Sequence, residues 1–430
     1  MSLALAKKIP NTALEDAVRR YPDVPRLLVL KTDVQRRGVH YSDAAVALLD
    51  PVKHQVTGTH IFGTRDGVIA LRPESLLLRD GTSIITTPTP LAEDPYVVDV
   101  LDGKPWLFDD GAALEEVDYW PAPAYYSKTG RSGVPMKNIV SARPQRLCIF
   151  PYRYCTFWNN GNGCAFCDIV SQMKKGGKEL QIPARLDPVE VGEVVGEALR
   201  EPGRFSAVFL TSGSIVGGEC PFDDEIDYYI AILREVGRNF RTKKYPSQLI
   251  GTAFEKRQLE RLYAETGLMS YTANIEVLDE AIFEKYCPGK AEWIGYREWK
   301  RRLVDAVDVF GPGRVNTGIV AGVELAGPHG FASEDEALER TLAEAEDLAR
   351  QGVSTVYIVW SPRPDTPLAG CKNASLDYYI RLARGLHSLR IKYRLPIDHD
   401  GYRHCGNHPD TDLSRLLPLW EEQDDYTTHR

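Results

Sequence analysis

At 430 residues, with a formal charge of −8 and 43% hydrophobic content, the chain is longer than one ordinary core requires and has the composition of a soluble globular protein. The acidic balance argues against nucleic acid, and no apolar run approaches the ~20 residues needed to span a bilayer, so neither nucleic acid nor membrane is an expected partner. A terminus without signal-peptide order and eight irregularly spaced cysteines point to the reducing cytoplasm, with metal-binding or catalytic thiols rather than disulfides.

Residues 1–140 carry short β-like runs at 26–30, 68–71, 83–87 and 96–101, separated by Gly, Pro and Asp, and no ligand cluster. They predict a β-rich accessory domain, joined through 130–144 to the rest of the chain. Beyond that, strands expected at 146–152, 207–212, 248–252, 269–275, 314–324 and 354–360 alternate with amphipathic helices at 188–200, 224–238, 255–266, 293–310, 334–351 and 375–389. Alternation of this kind argues for a parallel sheet in an α/β arrangement, and six βα units suit a partial (β/α)6 barrel of TIM type at least as well as a doubly wound sheet. The expected division is an accessory domain at 1–140, a partial barrel at 141–370, and a helical and loop extension covering the barrel at 371–430. In a barrel, functional groups gather at the C-terminal ends of the strands.

The segment after the first barrel strand is the richest in chemistry. Cys155, Cys164 and Cys167 follow the apolar run Leu147-Cys148-Ile149-Phe150 with the spacing Cys-x8-Cys-x2-Cys, and Phe166 precedes the last thiol. Asn160-Gly161 and Asn162-Gly163 are turn dipeptides, so the segment reads as a ligand loop that doubles back. Three closely spaced thiolates suit three irons of a [4Fe–4S] cluster and leave the fourth iron open for a substrate or cofactor. Two other readings stand beside this one. Cys148 would complete a four-cysteine structural zinc site in a non-catalytic protein, or the thiols are unrelated buried residues, as Cys148 in its apolar run suggests for itself.

Further signals fall at the other strand ends. Thr211-Ser212-Gly213-Ser214 follows the second strand, and Gly217-Gly218-Glu219 comes shortly after; small residues there admit backbone contacts to a polar ligand or simply make a turn. Asn274 and Glu276 are separated by one residue and so share a face, placed to hold a ligand ammonium or to cap the next helix. The fifth strand contains Gly318-Ile-Val320-Ala-Gly322, whose glycines permit close approach to a flat ring.

Taken together, these features resemble the radical S-adenosylmethionine (SAM) superfamily over about residues 145–370, with Asn274-Ile-Glu-Val-Leu-Asp and Cys287-Pro-Gly-Lys290 similar to biosynthetic members of the biotin and lipoate synthase type. The resemblance implies a partial barrel with a site-differentiated [4Fe–4S] cluster on Cys155, Cys164 and Cys167. It implies that SAM chelates the open iron and is cleaved reductively to a 5′-deoxyadenosyl radical, which takes hydrogen from a small-molecule substrate in cofactor or natural-product biosynthesis. Ser212, Gly213 and Ser214 would contact the SAM amino group, Asn274 and Glu276 would contact SAM from the fourth strand, and Gly318, Val320 and Gly322 would pack on adenine, with Phe166 beside the cluster. An electron donor such as flavodoxin or ferredoxin is the implied partner. The chain departs from the family in one respect: the usual spacing is Cys-x3-Cys-x2-Cys, and Cys148 is the substitute for Cys155 if that thiol does not bind.

Several residues remain ambiguous in the sequence. His399, His404, Cys405 and His408 form the densest group of metal or acid/base side chains outside the cysteine loop, either closing on substrate or lying in a polar tail. Lys290 and Arg363 either hold a carboxylate or phosphate or make surface ion pairs. Tyr271, Tyr125 and Tyr126 read as structural ahead of radical quenching, and Cys220, Cys287 and Cys371 form no pair that would hold a second cluster. Modification of a peptide is the lesser enzymatic branch.

Overall fold

A computed structural model describes residues 12–56, 72–176, 183–396 and 406–417. The N-terminal part opens with three helices, α1 (Thr12–Arg20), α2 (Arg26–Arg37) and α3 (Asp43–Ala47), and six strands, β1 (Val39–Tyr41), β2 (Ser75–Leu78), β3 (Ser83–Ile85), β4 (Tyr96–Leu101), β5 (Lys104–Asp109) and β6 (Ala112–Tyr119). The strands form one sheet in the order β1-β4-β5-β6-β2-β3. The run at 26–30, expected as a strand, is instead the start of α2. Four consecutive apolar residues fit a buried helix as well as a strand, and here Pro25 precedes the helix while Gly38 at φ +79° ends it. The run at 68–71 lies outside the described residues. Expected strands at 83–87 and 96–101 are present as β3 and β4.

The larger part begins with α4 (Met136–Ile139), β7 (Val140–Arg143) and β8 (Arg146–Ile149), then α5 (Ile169–Gly176), α6 (Pro188–Ala198), β9 (Ala207–Thr211), α7 (Asp223–Gly237) and β10 (Ser247–Ile250). It continues with α8 (Lys256–Glu265), β11 (Ser270–Thr272), α9 (Glu280–Tyr286), α10 (Pro288–Trp293), α11 (Tyr296–Phe310), β12 (Val315–Ala321), α12 (Glu334–Arg350), β13 (Val353–Val359), α13 (Leu376–Tyr393) and α14 (Pro409–Leu416). β8 to β13 are parallel and lie side by side in chain order, and β7 pairs antiparallel with β8. This is the curled half-barrel of six βα units. Its strands are buried along their lengths, β12 at every position, as a parallel sheet covered by helices requires. Helix starts are fixed by side-chain caps: Asp187 accepts from Glu190 N, Ser333 from Glu336 N and Ser375 from Tyr378 N.

The half-barrel's edge strands, β7 and β13, do not pair with each other. The N-terminal part reaches both. On one side Tyr125 donates its hydroxyl to Val140 O at 2.9 Å, and Glu74 meets Arg143 at 3.5 Å. On the other side α2 carries Lys31, which is fully buried and 2.5 Å from Asp412 of α14. α14 in turn covers the free edge of β13, with Asp410 Oδ1 accepting from Tyr357 N at 3.2 Å. The N-terminal part therefore serves as the side wall that spans the gap in the barrel.

Candidate active site

Two anchors hold the cysteine loop. Cys155 stands at the head of a 3-10 turn, Thr156–Asn160, which Gly161 ends at φ +77°. The first anchor is the segment after β9. Thr156 N donates to Ser214 O at 2.9 Å, Val216 N donates to Thr156 Oγ1 at 3.1 Å, and Ser214 N donates to Cys155 Sγ at 3.4 Å. Gly213 permits this docking, because a Cβ there would lie 2.2 Å from Tyr154 O and 2.6 Å from Cys155 Cβ. The second anchor is the turn between α9 and α10. Ala165 N donates to Tyr286 O at 2.8 Å and Gly289 N donates to Asn162 O at 2.9 Å. Cys167 N closes on Cys164 O at 3.0 Å, a tight turn that brings the last two thiols together.

The sulfurs sense one another. Burial pushes the Cys155 thiol up to about 11 and the Cys167 thiol well above its ordinary value, and charge on Cys164 raises both further. Cys164 is lowered, because the Cys287 thiol hydrogen-bonds to it, while burial keeps the proton on Cys287. Cys164 is thus the first of the three to become a thiolate. Lys290 adds positive charge nearby. Burial pulls its ammonium down, but Glu276, Cys164 and Cys287 together hold it above its ordinary value.

The donor set fits an iron–sulfur cluster better than one ion. Among the described residues, no three His, Cys, Asp or Glu side chains close on a single-ion site. Cys148, the would-be fourth zinc ligand, lies on β8 with its Sγ 3.8 Å from Arg146 O, packed with Phe150 and Phe209. The four-cysteine zinc set is therefore not assembled. A [4Fe–4S] cluster places each thiolate on a separate iron, so its ligands stand wider apart than those of a single ion.

The residues expected to meet SAM divide into two groups. Phe166, Asn274, Glu276 and Val320 line a cavity of about 370 Å³ in the half-barrel, together with Cys167. The others support the walls. Ser212 Oγ lies 2.6 Å from Tyr229 Oη, and the backbone of Gly213 and Ser214 is taken up in seating Cys155. Gly318 N donates to Asn274 Oδ1 at 3.0 Å, and a Cβ at Gly318 would lie 2.5 Å from that oxygen. Gly322, at φ +101°, leaves its room to the Tyr379 hydroxyl. The space that the two glycines open is thus filled by this chain's own side chains rather than left for a flat ring. Glu276 holds a left-handed backbone at φ +72°, uncommon for a residue with a side chain and often found at functional sites. It bonds Lys290 Nζ at 2.7 Å, and Lys290 also donates to Asn274 O at 2.6 Å. Lys290 is therefore committed to Glu276, neither reaching for substrate nor on the surface. Tyr271 and Tyr125 are core residues, and Tyr126 is partly buried against that core.

Two groups to which the sequence assigns no role at the cysteine loop support this site. Cys287 touches Cys164 from a turn far along the chain. Glu225, on α7 and 1% exposed, accepts from Ile215 N and from the Thr252 hydroxyl, both at 2.9 Å. Thr252 Oγ1 lies 2.7 Å from Ser214 Oγ, so this carboxylate ties the ends of β9 and β10 together. His408 also lines the cavity, with Nδ1 2.9 Å from Tyr357 O, and burial lowers its pKa. His399, His404 and Cys405 lie outside the described residues.

No family model matches the chain. Among solved structures it is similar to methylornithine synthase (PylB), at TM-score 0.35 and 17% identity, covering 63% of this chain and 78% of that one. HydG, a maturase of the [FeFe]-hydrogenase, matches at TM-score 0.40 and 16% identity over 60% of this chain and 52% of that one. A radical SAM methyltransferase from Sphaerobacter thermophilus matches at TM-score 0.40 and 16% identity over 68% and 73%. In sequence, a bacteriochlorophyllide c C-7(1)-hydroxylase of Chlorobaculum limnaeum is 22% identical over 366 residues, 81% of this chain and 87% of that protein. Among the described residues, no helix is long and apolar enough to cross a membrane.

Proposed function

We propose that this protein is a radical SAM enzyme, working with a [4Fe–4S] cluster and SAM, that abstracts a hydrogen atom from a small molecule held inside the half-barrel, as a step in biosynthesis. The supporting observation is the cavity itself, which runs from Phe166 and Cys167 at the loop to Arg146 and His408 at its far end, walled by Phe150, Phe209 and Trp360. In this reading Cys155, Cys164 and Cys167 hold three irons, and the fourth iron takes SAM. When bound, the cluster and SAM supply one-electron reduction and hydrogen-atom abstraction. The chain's own task is placement. Ser214 N supports the Cys155 sulfur, Cys287 and Lys290 favour a thiolate at Cys164, and Asn274 and Glu276 present polar groups at the cavity mouth. The aromatic walls exclude water from the reacting centre.

The relative from Chlorobaculum limnaeum is a hydroxylase of bacteriochlorophyllide c. Oxidation of a C–H bond on a ring-bearing, largely apolar substrate is the reaction class we carry over to this chain. An external one-electron donor, flavodoxin or ferredoxin in our reading, completes the system, and a reducing cytoplasm suits thiols that must stay free to bind iron.

The deciding experiment is anaerobic reconstitution with iron and sulfide, addition of dithionite and SAM, and chromatography of 5′-deoxyadenosine, with Cys164→Ala in parallel. Wild type releases 5′-deoxyadenosine and the variant does not. A colourless protein that carries one zinc and leaves SAM intact would overturn the assignment.

A further inference from the structure

We propose that Cys164 and Cys287 form a reversible disulfide when the chain meets a peroxide before its cluster is in place, a modification that withdraws one iron ligand until a thiol reduces it. This rests on the proposed function in one respect, that Cys164 is an iron ligand. Two backbone hydrogen bonds set the pairing. Ala165 N donates to Tyr286 O at 2.8 Å, and Gly289 N donates to Asn162 O at 2.9 Å. Residues 162–165 and 286–289 therefore run past each other in opposite directions, and the residue that faces Cys164 across them is Cys287. Opposed residues of an antiparallel pair have Cα atoms about 4.5–5.5 Å apart. That lies inside the span of about 4.4–6.8 Å that a disulfide bridges. The Cys287 thiol also hydrogen-bonds to Cys164.

The two thiols differ in access. Cys164 is half-buried in the loop, whereas Cys287 is 0% exposed in the turn between α9 and α10. Cys287 is also fixed in place, since its N donates to Phe283 O at 2.8 Å and its O accepts from Ala291 N at 3.0 Å. A small oxidant therefore meets Cys164 first. Cys164 Sγ attacks one oxygen of hydrogen peroxide, the O–O bond breaks, and the products are a sulfenic acid and one water. The Cys287 thiol then attacks that sulfur; the S–S bond forms, the S–O bond breaks, and the oxygen leaves with the thiol proton as a second water. Two thiols lose two electrons and one peroxide gains them. Cys155 and Cys167 sense Cys164 as a charge, and Cys155 Sγ is taken up by Ser214 N at 3.4 Å. Without a second thiol at hand, a sulfenic acid goes on to sulfinic acid, which ordinary thiols do not restore. Cys287 thus keeps the ligand recoverable: a dithiol reduces the bridge, becomes a disulfide itself, and returns both cysteines.

The test uses the full chain before reconstitution, treated with hydrogen peroxide. The remaining thiols are blocked with N-ethylmaleimide before unfolding, and the unreduced peptides are mapped by mass spectrometry, with fragmentation to assign each sulfur. Wild type should give one dominant cross-link, Cys164 to Cys287, which dithiothreitol removes. Cys287→Ser should give none, and sulfinic acid at Cys164 should accumulate several-fold over wild type at the same dose. Cys148→Ala, which removes another buried thiol, should keep the cross-link. Peroxide should also remove most of the iron uptake of wild type on later anaerobic reconstitution. Dithiothreitol should restore that uptake in wild type and not in Cys287→Ser. A dominant cross-link from Cys164 to Cys155 or Cys167, Cys164 left reduced or oxidised without any cross-link, or equal sulfinic yields in wild type and Cys287→Ser would overturn the proposal. If the serine variant does not fold, the wild-type map still decides. A Cys164–Cys287 cross-link that leaves iron uptake unchanged would overturn Cys164 as an iron ligand, and so the proposed function, while the disulfide stands. Release of 5′-deoxyadenosine by untreated, reconstituted protein reads that function separately.

Discussion

Glu225 offers the sharpest test of how the fold supports the site. Its carboxyl is fully buried, and burial holds it up to about 7 against an ordinary value of 4.5. The folded chain therefore binds this proton more tightly than the unfolded chain does. Stability contributed by the protonated form is fully present below pH 4.5, declines between pH 4.5 and about 7, and is constant above that. At ~1.4 kcal/mol per pH unit the decline over this interval amounts to roughly 3 kcal/mol. Glu225→Gln keeps the shape and removes the titration. Melting midpoints of the anaerobic holoprotein at a series of pH values from about 4.5 to about 8 should show wild type losing stability relative to the variant across that window, by several degrees in total, with parallel curves above about pH 7. Curves parallel throughout would refute the argument.

The same carboxylate organises the first anchor of the cysteine loop, so a deeper change should reach the cluster. Glu225→Ala leaves the Ile215 amide and the Thr252 hydroxyl without their acceptor inside the protein, at ~1–3 kcal/mol each. The loop that presents Ser214 N to Cys155 Sγ would loosen, and iron retained after desalting should fall below wild type in Glu225→Ala but remain near it in Glu225→Gln. Replacing Cys155, Cys164 or Cys167 by Ala should abolish iron retention and brown colour on anaerobic reconstitution, whereas Cys148→Ala should keep both, as iron assay and absorbance will show. Gly318→Ala forces a Cβ to within 2.5 Å of Asn274 Oδ1 and breaks the Gly318 N bond, which should cost ~1–3 kcal/mol in unfolding experiments. Combined with Asn274→Ala the cost should be less than additive, since one contact is shared. Lys31→Met leaves the buried Asp412 carboxylate with only the longer ion pair to Arg415 Nε at 3.5 Å, a loss of about 3 kcal/mol. Limited proteolysis should then cut next to α14 before any site in the barrel.

What the sequence reveals depends on whether the signal is local. The parallel strands are readable from their alternation with amphipathic helices, most plainly where the run is apolar, as at Ala207-Val208-Phe209-Leu210 of β9, whereas β10 and β11 carry buried polar residues such as Gln248, Ser270 and Thr272. The β5–β6 hairpin carries an equally local signal at its turn, Asp110-Gly111, where both residues adopt positive φ, the Asp-Gly pattern that flags a hairpin. Charged residues in β6 such as Glu115 and Glu116 mask the alternation beside it. The start of α2 resembles a strand because four apolar residues do not define a period. In the site, the thiols and the strand-end polar pair are legible as local motifs. Glu225 and Cys287 are not, because each acts on residues brought to it only by the sheet, and a lone Glu within an acidic helix start, or a Cys before Pro-Gly, carries no spacing.

The unusual gap between Cys155 and Cys164 acquires a physical account from the two anchors. Cys155 is set by the β9 segment, through Thr156 and Ser214, while Cys164 and Cys167 are set by the turn around Cys287. The residues between serve only to connect these fixed points, and here they fold into a 3-10 turn whose Phe157 is buried against Phe222 and whose Trp158 covers Gly163. A longer connection costs little, since closure entropy grows slowly with loop length and the extra residues bury their own aromatic rings. The Cys164–Cys167 gap has no such freedom, because the Cys167 N to Cys164 O bond at 3.0 Å fixes both thiols within one turn. The spacing before Cys164 is therefore a property of the connection, and the spacing after it a property of the ligand set. The eight-residue gap thus tells nothing against Cys155 as a ligand, and its fidelity is better judged from Ser214 and Gly213 than from its distance to the next cysteine.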